Sequence, residues 1–88
     1  MPLTLDRPYR LDERVAIRPE PFGGLAYHYG NRRLVFLRTP DMVRVVEGLG
    51  GAASVADALI AAGIDERRWP SFLTALTQLE SSEVIHAR

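Results

Sequence analysis

The chain has 88 residues, which is room for one domain and no more. Its eleven basic residues, all arginine, balance eleven acidic ones, and it contains no cysteine, which excludes disulfides, cysteine-ligated metal sites and a cysteine nucleophile. The sequence has no run of about 18 apolar residues, the length that a membrane-spanning helix needs. Residues 1–10 lack the apolar run of a signal peptide and, with two prolines, are expected to form a loose N-terminal arm. We therefore expect a single domain, in the cytoplasm, that binds no membrane.

The charge is distributed unevenly along the chain. Residues 1–44 contain eight arginines and five acidic residues, a net charge of +3. Residues 45–88 contain three arginines and six acidic residues, a net charge of −3. Two interpretations stay open: a solvated surface, or a basic patch on the N-terminal half for an acidic partner.

The first half of the chain predicts three antiparallel strands. Val15–Arg18 is a short strand candidate that ends at prolines, which cannot donate a ladder hydrogen bond. Phe22–Tyr29 and Arg32–Arg38 have the pattern of a hairpin, with Gly30-Asn31 as a two-residue turn of type II′. Gly23-Gly24 near the start of the hairpin predicts a bulge or a place where another backbone comes close.

The third predicted strand is apolar at both parities. Leu34 and Phe36 lie on one side of the strand, and Val35 and Leu37 lie on the other. Such a strand needs cover on both faces, or cover on one face and a partner for the other.

The second half of the chain predicts three helices. Thr39, followed by a proline and an aspartate, has the pattern of a helix start. Ser54 is expected to cap a second, short helix, and Asp65 opens a third with the longest apolar stripe of the chain. Glu83–Ile85 is either a terminal strand or a packed tail. Strands followed by helices indicate an α+β fold, in which a three-stranded antiparallel sheet precedes a three-helix bundle (β-β-β-α-α-α).

Residues for catalysis are nearly absent. His28 and His86 are the only histidines, and the chain has no pair of histidines at helical spacing that would bind a metal. His28 is interpreted as a half-buried strand residue. The paired carboxylates Asp12-Glu13 and Asp65-Glu66 are assigned no catalysis, because adjacent extended residues point apart and acids at a helix start favour its dipole. We predict no enzyme activity, no catalytic residue, no metal and no cofactor.

Two binding functions stay open. A winged helix that binds DNA has the same parts, three helices and a small sheet. The net charge of −3 on residues 45–88, however, has the wrong sign for contact with phosphate. The alternative is a free edge on the third strand, to which an extended peptide adds as a fourth strand beside the third helix. The third helix has arginines only at its start, at Arg67 and Arg68, and its exposed positions are Ser71, Thr74, Ala75 and Gln78.

A resemblance to a known family adds to this interpretation. Residues 18–30, which read RPEPFGGLAYHYG, and residues 32–37, RRLVFL, resemble the mycofactocin-system peptide chaperones, a family of PqqD-like proteins. The resemblance covers about Arg10 to Ile85. It implies the RiPP recognition element, a winged-helix-like fold of three strands and three helices. It also implies a non-catalytic protein that binds the leader of a short precursor peptide and presents it to a radical S-adenosylmethionine (SAM) maturase. That enzyme oxidatively decarboxylates and cross-links the C-terminal Val-Tyr of the peptide, toward the redox cofactor mycofactocin.

The resemblance also implies where the leader binds. In such proteins the leader adds antiparallel to the third strand, in the groove toward the third helix, so backbone contacts fall on residues 33–38 and arginines meet acidic leader residues. The parity of the strand that faces the groove and the surface that meets the maturase stay open. The N-terminal arm and the acidic helical half are candidates for that surface. The free edge could also pair two copies of the chain, and nucleic acid is not an expected partner. The predicted peptide-binding residues are Arg32, Arg33, Leu34, Val35, Phe36, Leu37, Arg38, Phe72, Leu73 and Leu76.

Overall fold

A computed structural model describes residues 3–88, and its strands form two antiparallel sheets. The larger sheet is built from β2 (Val15–Glu20), β3 (Gly23–His28) and β4 (Leu34–Leu37), in the order β2-β3-β4. The smaller sheet pairs β1 (Tyr9–Leu11) with β5 (Ile85–Ala87). The larger sheet contains the three strands that the sequence predicts, and β5 is the terminal strand that it left open.

Three helices follow the larger sheet: α1 (Pro40–Gly48), α2 (Val55–Ala61) and α3 (Trp69–Ser81). Two predicted helix starts are confirmed, because Thr39 Oγ1 and Ser54 Oγ each accept a hydrogen bond from a first-turn N–H at 3.1 Å. Asp65 instead caps a short 3-10 turn, Glu66–Arg68, and α3 begins directly after it. The predicted α+β order is therefore confirmed. No helix within residues 3–88 is long and apolar enough to cross a membrane.

The register of the sheet separates its two faces. Val35 lies opposite Ala26, and Leu37 lies opposite Gly24. Ala26 and Leu37 are fully buried, so these positions face the helices and form the inner face of the sheet. Leu34 and Phe36 have the other parity and form part of the outer face, where both are more than half exposed. The helices therefore cover only one side of β4.

The core fills the space between the inner face and the helices. Its apolar side chains come from every helix and from both sheets, so the small sheet contributes to the same core as the large one. The largest side chains that are fully buried are Tyr9, Leu37, Leu49, Leu59, Leu76, Ile85, His28, Val45, Val46, Val55 and Val84.

The prediction of a loose arm over residues 1–10 is wrong for residues 3–10, while Met1 and Pro2 lie outside the described residues. Tyr9 is 1% exposed and Leu3 is 8% exposed, and both belong to the core. Tyr9 also begins β1, whose partner lies at the other end of the chain. A pairing at this separation leaves no local signal in the sequence.

Backbone hydrogen bonds hold the same segment on α2. The carbonyl oxygens of Leu5 and Arg7 accept hydrogen bonds from the N–H groups of Ala56 and Val55, each at 3.0 Å. The first N–H groups of a helix have no partner within the helix. The segment before β1 therefore completes the hydrogen bonding of α2.

The loop between β3 and β4 differs from the predicted two-residue turn. His28 N–H donates to the Arg33 carbonyl at 2.9 Å, and Arg32 N–H donates to the His28 carbonyl at 2.8 Å, so the loop has four residues. The positive φ of 63° falls on Arg32 and not on Gly30. The His28 Nδ1 accepts hydrogen bonds from the N–H groups of Gly30 and Asn31, both at 3.0 Å. The imidazole thus accepts from two loop N–H groups and supports the longer loop.

Candidate functional site

The open edge of β4 offers backbone hydrogen-bonding groups. Within residues 3–88, β4 pairs only with β3. Because Arg33 pairs with His28, the alternation of an antiparallel ladder directs the N–H and C=O groups of Val35 and Leu37 toward β3. The N–H and C=O groups of Leu34 and Phe36 therefore face the open edge. An extended segment could add there as a further strand.

A groove of about 390 Å³ lies beside this edge, between β4 and α3. Its apolar floor includes Met42, Phe72 and Leu79, each at most 6% exposed. Polar residues of α3 form much of its rim. The lining residues are Phe36, Leu37, Arg38, Thr39, Met42, Arg68, Ser71, Phe72, Thr74, Ala75, Gln78 and Leu79.

Gly23 positions one end of the groove. A Cβ atom at this residue would lie 2.8 Å from the carbonyl carbon and 2.9 Å from the nitrogen of Thr39, closer than real Cβ contacts come. The predicted close approach of another backbone is therefore confirmed. The glycine lets the chain turn from β4 into α1 directly against β3, which places Thr39 and Met42 in the groove.

Arginines make this end of the groove positive. Arg68 Nη1 lies 2.9 Å from Asp41 Oδ2, and its guanidinium stacks 5.2 Å from the centre of the Phe72 ring. Hydrogen bonds from Arg68, and then from Arg44, hold the pKa of Asp41 below its usual value. Arg38 lines the groove and forms no ion pair with another described residue. A ligand carboxylate could meet Arg38 and the exposed part of Arg68.

Four of the ten predicted site residues line the groove, namely Phe36, Leu37, Arg38 and Phe72. The other six lie elsewhere, for three reasons. Leu76 is fully buried in the core, while Leu73 and Val35 pack against the core outside the groove. Leu34 is exposed on the outer face, and Arg32 and Arg33 are exposed just before β4.

Of the three α3 residues predicted for the groove, Phe72 lines it and Leu73 and Leu76 do not. Ser71, Thr74, Ala75 and Gln78 line it, although the sequence had marked them only as exposed positions. Their spacing of three and four residues places them on one helix face, which was a usable signal. The sequence also missed four further lining residues, whose position in the groove depends on how α1 and α3 pack: Thr39, Met42, Arg68 and Leu79.

A second polar cluster surrounds Asp12, which is 4% exposed. Its carboxylate accepts hydrogen bonds from the Arg14 backbone N–H at 2.7 Å and from the Arg14 guanidinium at 3.2 Å. His86 Nε2 lies 2.6 Å from Asp12 Oδ2, and His28 Nε2 lies 3.7 Å from it. The hydrogen bonds from Arg14, and then the one with His86, hold the pKa of Asp12 well below its usual range.

The geometry of the Asp12 cluster indicates a structural role, because its side chains contact one another. His28 is 1% exposed, so its interpretation as a half-buried residue is wrong. Within residues 3–88 no group of three or more histidine, cysteine, aspartate or glutamate side chains could hold a metal ion. The carboxylate of Asp12 instead connects β5, through His86, with the turn before β2.

Comparison with known proteins identifies the family. The profile of the Peptide chaperone MftB family matches residues 8–86. The chain is 42% identical over 80 residues to the peptide chaperone MftB of Mycobacterium ulcerans (strain Agy99), and the aligned region spans 91% of this chain and 73% of that protein. It is 40% identical over 83 residues to the peptide chaperone MftB of Mycobacterium tuberculosis (strain H37Rv), and this aligned region spans 94% of this chain and 76% of that protein. No solved structure matches the chain. Because the family profile and these relatives cover nearly all of the sequence, the chain belongs to the Peptide chaperone MftB family.

Proposed function

We propose that the chain binds the leader of a short precursor peptide as an added strand on the open edge of β4. It then presents the peptide to a radical SAM maturase in the biosynthesis of mycofactocin. Membership of a peptide chaperone family supports peptide binding without catalysis. The observation that carries the finer proposal is the open edge of β4 beside the groove of about 390 Å³.

Backbone pairing alone would not hold a leader. Leu34 and Phe36 offer two N–H and two C=O groups, and each hydrogen bond adds a net of about 0.5–1.5 kcal/mol. Ordering one residue of a disordered peptide costs about 1–2 kcal/mol. Five ordered residues would therefore cost about 5–10 kcal/mol, more than the roughly 2–6 kcal/mol that four such bonds contribute. Apolar anchors must supply the difference, since burying one large apolar side chain contributes about 1.5–3 kcal/mol.

The groove specifies which leader fits. Alternate side chains of an added strand point to the same side, so apolar residues at i and i+2 would enter the groove above Phe72 and Leu79. A leader antiparallel to β4 has its N-terminal end near Leu37. An acidic residue before the apolar pair would then lie near Arg38 and Arg68. The proposed leader motif is an acid followed by two alternate apolar residues.

Presentation requires no chemistry from this chain. Holding the leader beside the maturase raises the effective concentration of the C-terminal part of the peptide at the active site. Two copies paired through β4 would use the same edge, so leader binding and such a homodimer would compete.

The geometry does not favour DNA binding. Arg67 pairs with Asp65 at 3.2 Å, and Arg68, which pairs with Asp41 at 2.9 Å, lines the groove beside β4. The exposed face of α3, which would be the recognition surface, borders the groove beside β4.

Two matched threonines test the proposed site. Thr74 and Thr77 are both exposed on α3, and each donates its hydroxyl to the carbonyl four residues earlier. Only Thr74 lines the groove. The experiment titrates the precursor peptide into wild-type protein, Thr74→Glu and Thr77→Glu by calorimetry, with a leaderless peptide as a further arm. We expect Thr74→Glu to weaken binding about tenfold or more, as loss of a central contact does, and Thr77→Glu to leave it unchanged.

A backbone scan tests strand addition itself. N-methylation of successive leader residues should weaken binding at alternate positions only, because every second N–H of an added strand points to β4. Full binding by the leaderless peptide, equal binding by both threonine variants, or the absence of this alternation would contradict the proposal.

A further inference from the structure

We propose that the outer face of the larger sheet is the surface on which the maturase docks while the leader occupies the edge of β4. This inference rests on the proposed function and names the partner surface that the family resemblance left open. The outer face consists of Ala16, Arg18, Glu20, Phe22, Leu25, Tyr27, Tyr29, Leu34 and Phe36, and its Arg18 pairs with Glu20 at 2.9 Å.

Exposed apolar side chains concentrate on this face. Within residues 3–88 five large hydrophobic side chains are exposed, and four of them lie here: Phe22, Tyr29, Leu34 and Phe36, between 42% and 66% exposed. The fifth, Ile60, lies on α2. An antiparallel sheet with one solvated face normally carries polar residues on that face. A continuous apolar patch instead marks a surface that another molecule covers. Both sides of β4 carry apolar residues, but the helices cover only the inner side.

The face has the form of an interface. Phe22 and Phe36 pack with ring centres 5.8 Å apart at one end, and Tyr27 and Tyr29 meet edge to face at 4.8 Å at the other. A depression of about 310 Å³ lies at the tyrosine end of the face. It can accept one anchoring side chain from a partner, and such anchors dominate the binding energy of interfaces. The depression is lined by Ala16, Arg18, Leu25, Tyr27, Tyr29 and Leu34.

The size of the face argues against a second copy of this chain. Strands of six, six and four residues cover at most roughly 14 by 20 Å, or about 300 Å², at ordinary strand spacing and rise. Two copies packed face to face would bury about 600 Å² in total, below the roughly 1,000 Å² of a specific interface. A larger partner that also contacts the rim of the sheet can exceed this area. The occupant that we name is therefore the maturase.

The position of the face suits presentation. The C-terminal end of a leader antiparallel to β4 passes Leu34 and leaves the edge at the loop that contains Tyr29. A maturase on the tyrosine end of the outer face would thus be adjacent to the emerging peptide. Arg32 and Arg33, exposed at this end, form no ion pair with other described residues. The docking surface of the maturase should therefore be apolar with an acidic rim.

The test compares two double variants of equal chemistry. Ala16→Glu with Tyr29→Ser changes exposed residues of the outer face and leaves the leader groove untouched. Ala53→Glu with Ile60→Ser likewise introduces one glutamate in place of alanine and one serine in place of a large apolar side chain, at exposed positions near α2. Binding of each variant to the purified maturase encoded beside the precursor peptide is measured by biolayer interferometry, without and with peptide. Circular dichroism confirms the fold of each variant.

We expect the outer-face variant to lose about tenfold or more in maturase affinity, as loss of an anchoring pocket does. The control should bind the maturase as the wild type does, and both variants should keep leader affinity. Wild-type maturase affinity in the outer-face variant, or an equal loss in the control, would overturn the inference. So would a wild-type dimer, seen by sedimentation, that only the outer-face variant dissociates. Because docking is also measured without peptide, failure of leader binding would count against the proposed function alone.

Discussion

Replacing Asp12 by asparagine tests whether a buried carboxylate connects the two sheets. The Asp12 carboxylate accepts hydrogen bonds from Arg14, in the turn before β2, and lies 2.6 Å from Nε2 of His86 in β5. The Asp12 backbone N–H also donates to Val84 at 2.8 Å, next to β5. The side chain therefore joins the chain ends to the larger sheet, and asparagine removes the charge while preserving the shape.

The geometry gives the magnitude. A hydrogen bond to a charged group contributes about 1.5–3 kcal/mol. The Arg14 side chain is 56% exposed, so solvent reduces its ion pair with Asp12 to about 1 kcal/mol or less. The backbone N–H of Arg14 and the His86 ring carry the larger part. Since asparagine keeps one acceptor oxygen, we expect the free energy of unfolding to fall by about 2–3 kcal/mol, a large share of the roughly 5 kcal/mol of a marginal domain.

Urea unfolding at pH 7, followed by circular dichroism, measures this loss. Glu13→Gln is the matched control, because Glu13 adjoins Asp12 in sequence but is exposed. An exposed substitution of this kind should change the free energy of unfolding by no more than about 0.5 kcal/mol. If Asp12→Asn costs no more than Glu13→Gln, the argument for a connecting carboxylate is refuted.

The same variant predicts a dependence on pH. Hydrogen bonds from Arg14 lower the pKa of Asp12 in the folded state, while the unfolded value is about 3.9. The carboxylate therefore stabilises the fold fully above the unfolded pKa, and this contribution is lost as the pH falls through the lower folded pKa. The gap between wild type and Asp12→Asn should shrink below about pH 4. A gap that widens on acidification would contradict the assignment.

Two further predictions concern the architecture of the groove. Gly23→Ala should lower the free energy of unfolding by about 1–3 kcal/mol, because the added methyl group meets the Thr39 backbone; Gly50→Ala, with nothing within 4 Å of its Cβ, is the control in urea unfolding. Leu37→Asp should unfold the domain, because Leu37 is 1% exposed, whereas Leu34→Asp should stay folded, because Leu34 is 53% exposed. Thermal melts separate the two, and a folded Leu37→Asp would show that the inner face tolerates charge.

The helices show what local sequence predicts. The hydroxyls of Thr39 and Ser54 lie three residues before the N–H groups that they cap, so the whole interaction sits within one turn. Asp65 acts just as locally, because it accepts from the Arg67 N–H at 2.9 Å and caps the short 3-10 turn Glu66–Arg68 that precedes α3. The alternation along β3 is local in the same sense. These elements were predictable because the residues that decide them are neighbours in the chain.

The loop after β3 shows where local patterns mislead. Gly30-Asn31 matches a tight turn, but the His28 ring offers its Nδ1 to two loop N–H groups and supports four residues instead. The orientation of that ring depends on burial beside Asp12, which the hairpin sequence does not encode.

By itself, the sequence determined the order of the three strands of the larger sheet and of the three helices, the caps of α1 and α2, and the resemblance to peptide chaperones. Only the tertiary structure decided that Tyr9 begins a strand paired with the chain's other end. It also decided which parity of β4 faces the helices, and that Thr74 lines the groove while Leu76 fills the core. These outcomes depend on packing between segments far apart in the chain, and an apolar residue carries the same pattern whether it fills a core or lines a groove.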